Sequence, residues 1–327
     1  MPELPEVESV VRAQRQWLVG RRFVDFVSHW PRNAAPSAAA VREALVGRMV
    51  ADVWRRAKYI VVTLAEDEAA RPGSSRRPEA SAGSRSASNS GRRSAQQSAG
   101  YLLIHLRMSG RLEWFTLPKG DGATAAKWPA GSPAHVRAEF EFDNGGRLLF
   151  CDARKFGRIA WTRDLTSVTA HLGVEPLDDE FRPAMLRELL QSRSRALKPL
   201  LLDQSLVAGI GNIYADEALH RAGLHPLTPS DRVEPEAVKR LCSAIRAVLR
   251  DAIRRNGTSF DWVYPSGTMQ DHLRVYGRTG AACRACGSAI VALRVGQRGT
   301  HICPRCQPLP RGRAAEGRAL RSGSARV

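Results

Sequence analysis

Four cysteines near the C-terminus constrain this chain more than any other feature: Cys283-x2-Cys286, sixteen residues, then Cys303-x2-Cys306. That spacing suits four thiolates around one zinc ion, which staples a hairpin too short to hold a core of its own. Two disulfides could use the same residues, but reducing compartments disfavour them and nothing here suggests export. The chain opens Met1-Pro2-Glu3-Leu4-Pro5-Glu6, acidic and proline-rich, the reverse of a secretory signal. No apolar run approaches the roughly 20 residues that span a bilayer. An intracellular, non-membrane protein with one structural zinc is expected. Cys151 and Cys242 stand alone and read as buried small apolar residues.

Upstream of the cysteines the patterning changes twice. Val7, Val10, Val11, Gln14 and Leu18 follow helical spacing, with Pro5 suited to a first turn. Short strand-like runs follow at Phe23 to Val27, Met49 to Val53, Tyr59 to Leu64, Tyr101 to Leu106, His135 to Phe142 and Arg147 to Phe150. From about Asp178 the period turns helical: Met185 to Leu190, Lys198 to Leu206, Ile213 to Ala222 and Pro235 to Asn256. An α+β chain is expected, with an N-terminal β-sandwich and flanking helices, then a helical domain, then the cysteine hairpin. The boundaries read as 2–172, 173–272 and 273–307, with 308–327 an arginine-rich tail. Residues 66–100 contain no Val, Ile, Leu, Met, Phe, Trp, Tyr or Cys, and nine are serine. Such a segment buries too little to offset its ordering entropy and is expected to be a disordered insertion.

Charge points to a partner. Fifty Lys+Arg against 32 Asp+Glu leave +18 on a 327-residue chain whose 43% hydrophobic content is enough for a real core. A folded protein with that surplus suits a polyanion, and nucleic acid is the commonest. Residues 274–306 alone carry six arginines and no acidic residue.

The N-terminus could carry chemistry. Removal of Met1 would expose Pro2 as a secondary amine, and an α-amino group titrates near 8, so a useful fraction is unprotonated at neutral pH. Attack of that amine on an aldehyde-level carbon gives an iminium ion, an electron sink. Glu3 and Glu6 lie close in sequence as proton donors or acceptors. Taken alone, these residues fit an ordinary proline-capped helix start equally well.

Other stretches settle the matter. PELPEVE at Pro2 to Glu8, AKY at Ala57 to Tyr59, HLRMSG at His105 to Gly110 and DARKFGR at Asp152 to Arg158 stand in order. KPLLLDQSLVAGIGNIYADEALHRAGLHP at Lys198 to Pro226 and VYGR at Val275 to Arg278 then lead into the cysteines. Together they resemble the formamidopyrimidine-DNA glycosylase family of bacterial base-excision repair enzymes, over nearly the whole chain except 66–100 and the tail.

The resemblance implies a bifunctional glycosylase and abasic-site lyase acting on oxidised purines in double-stranded DNA. Pro2 would attack C1′, expel the base and form a Schiff base. Glu3 would give the proton that opens the sugar at O4′, Glu6 would polarise that centre, and the strand lysine Lys58 would touch phosphates flanking the lesion. The iminium acidifies C2′, so β- and then δ-elimination cut the strand without redox cofactor or catalytic metal. A duplex hides C1′, so the nucleotide must be flipped out and the hole filled; Met108, Arg154 and Phe156 match the filling trio, with Arg154 also reaching the orphaned cytosine. His105, Lys198, Asn212 and Arg298 match the DNA contacts. Asn212 would N-cap its helix and point an amide at an anion site after the Gly209-Ile210-Gly211 turn, with Lys198 opposite. Arg298 would clamp the phosphate beside the lesion. A monomer in the bacterial cytoplasm, at the nucleoid, is expected.

Three departures mark this chain. Arg107 stands where the family usually has Gly, Asp152-Ala153-Arg154-Lys155-Phe156 replaces DPRRF, and the segment between Gly257-Thr258-Ser259 and Val275-Tyr276-Gly277 is shorter. That segment covers the everted purine in the family, so its length bears on 8-oxoguanine against formamidopyrimidine. The sister group, endonuclease VIII, tends to carry Pro-Glu-Gly at its start and to lack the His-Leu-x-Met-Ser-Gly stretch. A non-catalytic zinc lesion-binding protein would have no use for Pro2, Glu3, Glu6 and Lys58 together.

Overall fold

The computed structural model describes residues 2–65, 98–116, 134–259 and 267–309. The chain divides into two compact units. One comprises Pro2 and Glu6–Ala170; the other takes Glu3–Pro5 and the chain from His171 onward, apart from 261–265.

In the first unit, α1 (Leu4–Leu18) turns Val7, Val10, Val11 and Leu18 into the core, as their spacing predicts. Two sheets supply the rest. One runs β1 (Phe23–Ser28), β7 (Val136–Phe142), β8 (Gly146–Asp152), β6 (Gly110–Thr116). The other runs β2 (Ala34–Ala35), β9 (Arg158–Thr162), β5 (Ser98–His105), β4 (Tyr59–Ala65), β3 (Val50–Arg56). Phe23, Phe26, Phe140, Phe142 and Phe150 from the first sheet share one buried cluster with Val53, Ile60, Val62, Leu102 and Ile104 from the second. Alternating apolar residues on facing sheets make the expected sandwich. Helix α2 (Ala38–Leu45) adds Val41 and Leu45, with Ser37 Oγ capping it through the Ala40 amide at 3.1 Å.

Strand β4 pairs antiparallel with β5 from Tyr59↔His105 to Ala65↔Ser98. Ser98, Ala99 and Gly100 are therefore strand rather than insertion, because they complete the ladder opposite Leu64 and Ala65. The remainder of the expected insertion, 66–97, lies outside the described residues, as do the tail from 310 and residues 260–266 of the segment, between Ser259 and Val275, that is expected to cover the lesion. Strands β6 and β9 and helix α2 escape the sequence patterning. Half-exposed Arg, Glu and Trp in β6, and only five residues in β9, leave no clean period-2 signal.

The second unit is helical. Short α3 (Thr166–Thr169) closes the first unit; the second holds α4 (Pro183–Gln191), α5 (Leu197–Leu201), α6 (Asn212–Ala222) and α7 (Pro235–Arg254). The helix expected over Lys198 to Leu206 stops at Leu201. Asp203 Oδ1 accepts from the Ser205 amide and hydroxyl at 3.0 and 2.6 Å, folding 202–206 into a turn. Apolar residues every third or fourth position of α7, from Val238 to Ile253, pack with Tyr214, Leu219, Leu200 and Leu201 in one core. After α7 come β10 (Val291–Val295) and β11 (Arg298–Ile302), an antiparallel hairpin turned by Gly296 and Gln297 at φ +54 and +62. Two consecutive left-handed residues are what a two-residue hairpin loop requires.

Candidate functional site

In the first unit, Pro2, Glu6 and Lys58 are buried, Glu6 and Lys58 to 3% and 5% exposure. Lys58 is not on a strand as expected; it shares the β3–β4 hairpin turn with Ala57, whose φ is +52. Arg55 holds that turn: its Nη1 donates to Ala57 O at 3.1 Å while its Nε reaches Glu8 of α1 at 3.2 Å. Across the ladder sits His105, edge-on to Tyr59. Burial, with Arg107 and Lys58 adding repulsion, pushes His105 down to about 3. Its Nδ1 accepts the Arg107 amide at 3.0 Å, so the neutral ring carries its proton on Nε2, a donor suited to an anion.

The same unit brings the expected filling trio together on two turns. Met108 (39% exposed) lies on the β5–β6 turn, Phe156 (50% exposed) on the β8–β9 turn, and the Arg154 guanidinium stands 5.3 Å over the Phe156 ring. Fully buried Asp152 ties both turns. Its carboxylate accepts the Ser109 hydroxyl, the Arg154 amide at 3.2 Å and the Gly157 amide at 2.7 Å. Both turns are strained, Arg107 at φ +55 and Lys155 at φ +62. The DARKF stretch contains Asp152 in plain view. What the sequence does not disclose is its partner Ser109, 43 positions away.

In the second unit, Glu3 sits at the N-terminus of α6. Its carboxylate accepts the amides of Gly211 at 2.7 Å, Ile213 at 2.9 Å and Tyr214 at 3.4 Å. The expected cap, Asn212, is instead the first helical residue; Gly211 precedes it, and a side chain there would collide with Glu3 at 2.3 Å. Glu3 takes the cap because its carboxylate uses the helix's unpaired N–H groups and its dipole together. Leu4 N–H donates to Gly209 O at 3.0 Å, and Gly209 needs its glycine for φ +91. The Asn212 amide donates to Gly299 O at 3.1 Å.

Lys198 lies beneath this surface with no exposure at all. Its Nζ meets Asp216 Oδ1 in an ion pair at 2.7 Å and donates to Thr300 Oγ1 at 2.8 Å and Gly299 O at 2.9 Å. Burial lowers its pKa; Asp216 and Glu3 pull it back up, and Arg298 adds to the fall. Asp216, also fully buried, takes the His301 amide on its other oxygen at 2.9 Å. Its neighbour Glu217 accepts the amides of Arg274, Val275 and Tyr276, each at 2.9 Å, with burial pushing its pKa up. Asp216 and Glu217 had no expected role; two adjacent acids in the apolar-flanked run YADEAL are the available signal. Arg298 is exposed at the start of β11.

The four cysteine Sγ atoms lie within 4.8 Å of one another, and none forms a disulfide. Cys286 and Cys303 approach to 3.3 Å, Cys283 and Cys306 to 3.9 Å. A zinc tetrahedron with 2.3 Å bonds needs edges of about 3.8 Å, so the donor set fits. Burial and the neighbouring thiols push Cys306 up to about 12, while the Ser288 hydroxyl and amide draw Cys286 down to about 6. A divalent cation answers both by holding all four as thiolates. His220 Nε2 stands 3.5 Å from Cys283 Sγ, and Gln307 bridges Cys303 N to Leu224 O. These contacts hold the finger to α6 and the turn after it.

A β-sandwich, a helix–two-turn–helix and a four-thiolate finger define a class of DNA-binding repair protein. Residues 1–159 match the formamidopyrimidine-DNA glycosylase N-terminal domain, residues 172–262 the H2TH domain of the same name, and residues 280–309 a zinc finger found in FPG and IleRS. A formamidopyrimidine-DNA glycosylase of Chloroflexus aggregans is 39% identical over 94% of this chain and 99% of its own length. One from Symbiobacterium thermophilum is 38% identical over 99% and 94%. The Lactococcus lactis Fpg bound to DNA with an abasic site superposes with a TM-score of 0.74 at 29% identity, over 94% of this chain and all of that one. MutM bound to DNA with carbocyclic 8-oxo-G gives 0.75 at the same identity and coverage. The chain belongs to the formamidopyrimidine-DNA glycosylase family. The finger's cofactor is one structural zinc, held by Cys283, Cys286, Cys303 and Cys306. Among the described residues no helix is long and apolar enough to cross a membrane.

Proposed function

We propose that the protein excises oxidised purines from double-stranded DNA through a Schiff base on Pro2 and then cuts the strand by β,δ-elimination, as a bifunctional glycosylase and abasic-site lyase of base excision repair. The tethering of the N-terminus carries this reading. Chain termini usually fray unless tied down, yet residues 2–6 are all buried, and Glu3 and Leu4 are fastened to the 209–214 turn. A terminal amine that must meet one carbon of a flipped nucleotide gains its effective concentration from such fixing.

In this mechanism, the Pro2 nitrogen lone pair bonds to C1′ and the N-glycosidic bond breaks, the base leaving with the proton that the Pro2 nitrogen gives up. Glu3 relays a proton to O4′ as the ring opens, and the iminium forms. Glu6 polarises the centre, and Lys58 and His105 hold flanking phosphates by ammonium and Nε2–H. Loss of the C2′ proton expels the 3′ phosphate, a second elimination expels the 5′ phosphate, and water releases the sugar fragment. Met108, Arg154 and Phe156 fill the vacated stack. Asn212, with one amide hydrogen on Gly299 and one left for an anion, and Arg298 grip the lesion strand. The zinc stabilises the finger and takes no chemical part. The catalytic domain spans 2–172, the helix–two-turn–helix 173–272 and the finger 273–307. Its substrate places the protein in the bacterial cytoplasm, at the nucleoid.

Borohydride trapping tests the reading. Protein freed of Met1 should cross-link to lesion DNA at its N-terminus, while Pro2→Gly should trap poorly. Equal trapping by protein that retains Met1 would discard Pro2 as the nucleophile. Glu3→Gln should block release of 8-oxoguanine but spare cleavage of a pre-formed abasic site. It also puts an amide NH2 against N–H donors of α6, at a cost of about 1–3 kcal/mol, so its melting temperature belongs beside its rate.

A further inference from the structure

Lys198 is the most enclosed cation of the grip, and its partners point in one direction. Its Nζ forms an ion pair with Asp216 of α6 and donates to Gly299 O and Thr300 Oγ1 of β11. The Thr300 hydroxyl, having accepted from Lys198, donates at 3.1 Å to the carbonyl of Arg298. Asp216 continues the fastening through the His301 amide. Three consecutive residues after Arg298 are thus pinned to α5 and α6. The Arg298 backbone hangs from the same chain of bonds, and its side chain is exposed. An ammonium with no exposed surface reaches a phosphate only by giving up a buried ion pair, which is costly for both partners.

We propose that Lys198 is a positioning residue: with Asp216 it fixes Gly299 and Thr300 so that Arg298 presents its guanidinium to the lesion-strand phosphate, and it does not touch the phosphate itself. This rests on the reading of Arg298 as a phosphate contact. The bidentate geometry of a guanidinium on phosphate demands an aligned fork, and alignment is what a rigid backbone anchor supplies.

The test measures binding to a duplex carrying a tetrahydrofuran abasic analogue across a salt series, with zinc content checked for each variant. Arg298→Ala should lower the log–log salt slope by about 1. Lys198→Met alone strands a buried carboxylate and is prone to misfold, so Lys198→Met/Asp216→Leu removes both charges together. Thr300→Val, which leaves Lys198 charged, cuts only the link to Arg298. On the proposal, both changes lower the slope by about 1, and neither lowers it further when added to Arg298→Ala. Losses that add to about 2 would make Lys198 a direct phosphate contact, as would an unchanged slope with Thr300→Val, and either overturns the proposal. If Arg298→Ala leaves the slope unchanged, the reading of Arg298 fails and the proposal falls with it.

Discussion

The two units prepare for DNA in opposite ways. In the N-terminal unit the residues proposed to enter the duplex are exposed apolar or planar groups, Met108, Phe156 and Arg154, on turns whose backbone is strained. Their order comes from beneath, from the buried carboxylate of Asp152. In the C-terminal unit the polar groups are themselves buried and already partnered: Glu3 by three amides, Lys198 by three acceptors, Asp216 by Lys198 and His301. A wedge must be free to enter a stack, so only its support can be fixed. A phosphate grip is strongest when its donors are aligned before the anion arrives. The wedge unit relies on a hydrophobic core and the grip unit on a metal as well, and the two should therefore fail differently.

Zinc loss should give the largest effect. Cys283→Ser, or a strong chelator, removes the cation that holds β10, β11 and the finger against α6. Lesion-DNA binding should fall below detection, while the N-terminal unit keeps its near-native melting transition. Calorimetry with zinc quantification checks this. Joint unfolding of both units, or zinc-free protein that binds lesion DNA normally, would break the contrast.

Asp152→Ala comes next. It deprives the buried Gly157 amide and the Ser109 hydroxyl of their acceptor and leaves the Arg154 amide with Ser109 Oγ alone, costing about 1–3 kcal/mol in the N-terminal unit, and it frees both turns. Excision of 8-oxoguanine opposite cytosine should drop at least tenfold, with zinc content and the salt slope unchanged. A rate near that of the parent protein would mean the wedge turns hold their shape without the carboxylate.

How much of this could be read from the chain follows from how local each determinant is. The finger is legible because four thiols within 24 positions, whose Sγ atoms also meet in space, announce their own geometry. The sandwich is legible because Phe140 and Phe142 alternate with Glu139, Glu141 and Asp143. The residues proposed as wedges stand in short contiguous motifs, and the structure brings Arg154 and Phe156 into contact. Glu3 as the cap of α6 was not legible: donor and acceptor are 208 positions apart, and Asn212 satisfies every local rule for a cap. Lys198 reads in sequence as a DNA contact, and its burial is not visible there because its partners, Gly299 and Thr300, lie 101 and 102 positions downstream. Burial of a charge is a property of the pair, so one member's sequence context does not reveal it.

A smaller effect sharpens the comparison through pH. His105 belongs to the wedge unit and stays neutral when folded, held down to about 3 by burial, against about 6.5 when unfolded. The unfolded chain therefore binds a proton that the folded unit refuses. The stability linked to His105 is complete above pH 6.5 and is lost as pH falls towards 3, by about 2 kcal/mol between pH 7 and pH 5. Urea unfolding of the parent and of His105→Phe at the two pH values should show that difference in the parent only. An equal pH slope in both would place the titrating group elsewhere.

The smallest effect on activity is expected where the sequence looks most disruptive. Ala65 and Ser98 face each other at the end of the β4–β5 ladder, while Lys58 and His105 stand at the opposite end, beside Tyr59↔His105. Strand β4 is seven residues long, so at about 3.3 Å per residue the point where 66–97 leaves the sheet lies about 20 Å from the turn that holds Lys58. A pair of facing antiparallel residues is what a two-residue Asn-Gly turn closes. Replacing 66–97 with such a turn should leave excision within a few fold. Loop-closure entropy favours the short form, at about 0.6 kcal/mol for each halving of loop length, so the N-terminal unit should melt no lower than before. The segment carries six arginines against four acidic residues across 66–100, so weak affinity for undamaged DNA should fall slightly at low salt. A shortened protein that folds and binds zinc but no longer releases the base would show that 66–97 takes part at the Lys58 end of the sheet, and the separation of scaffold from site within the wedge unit would have to be abandoned.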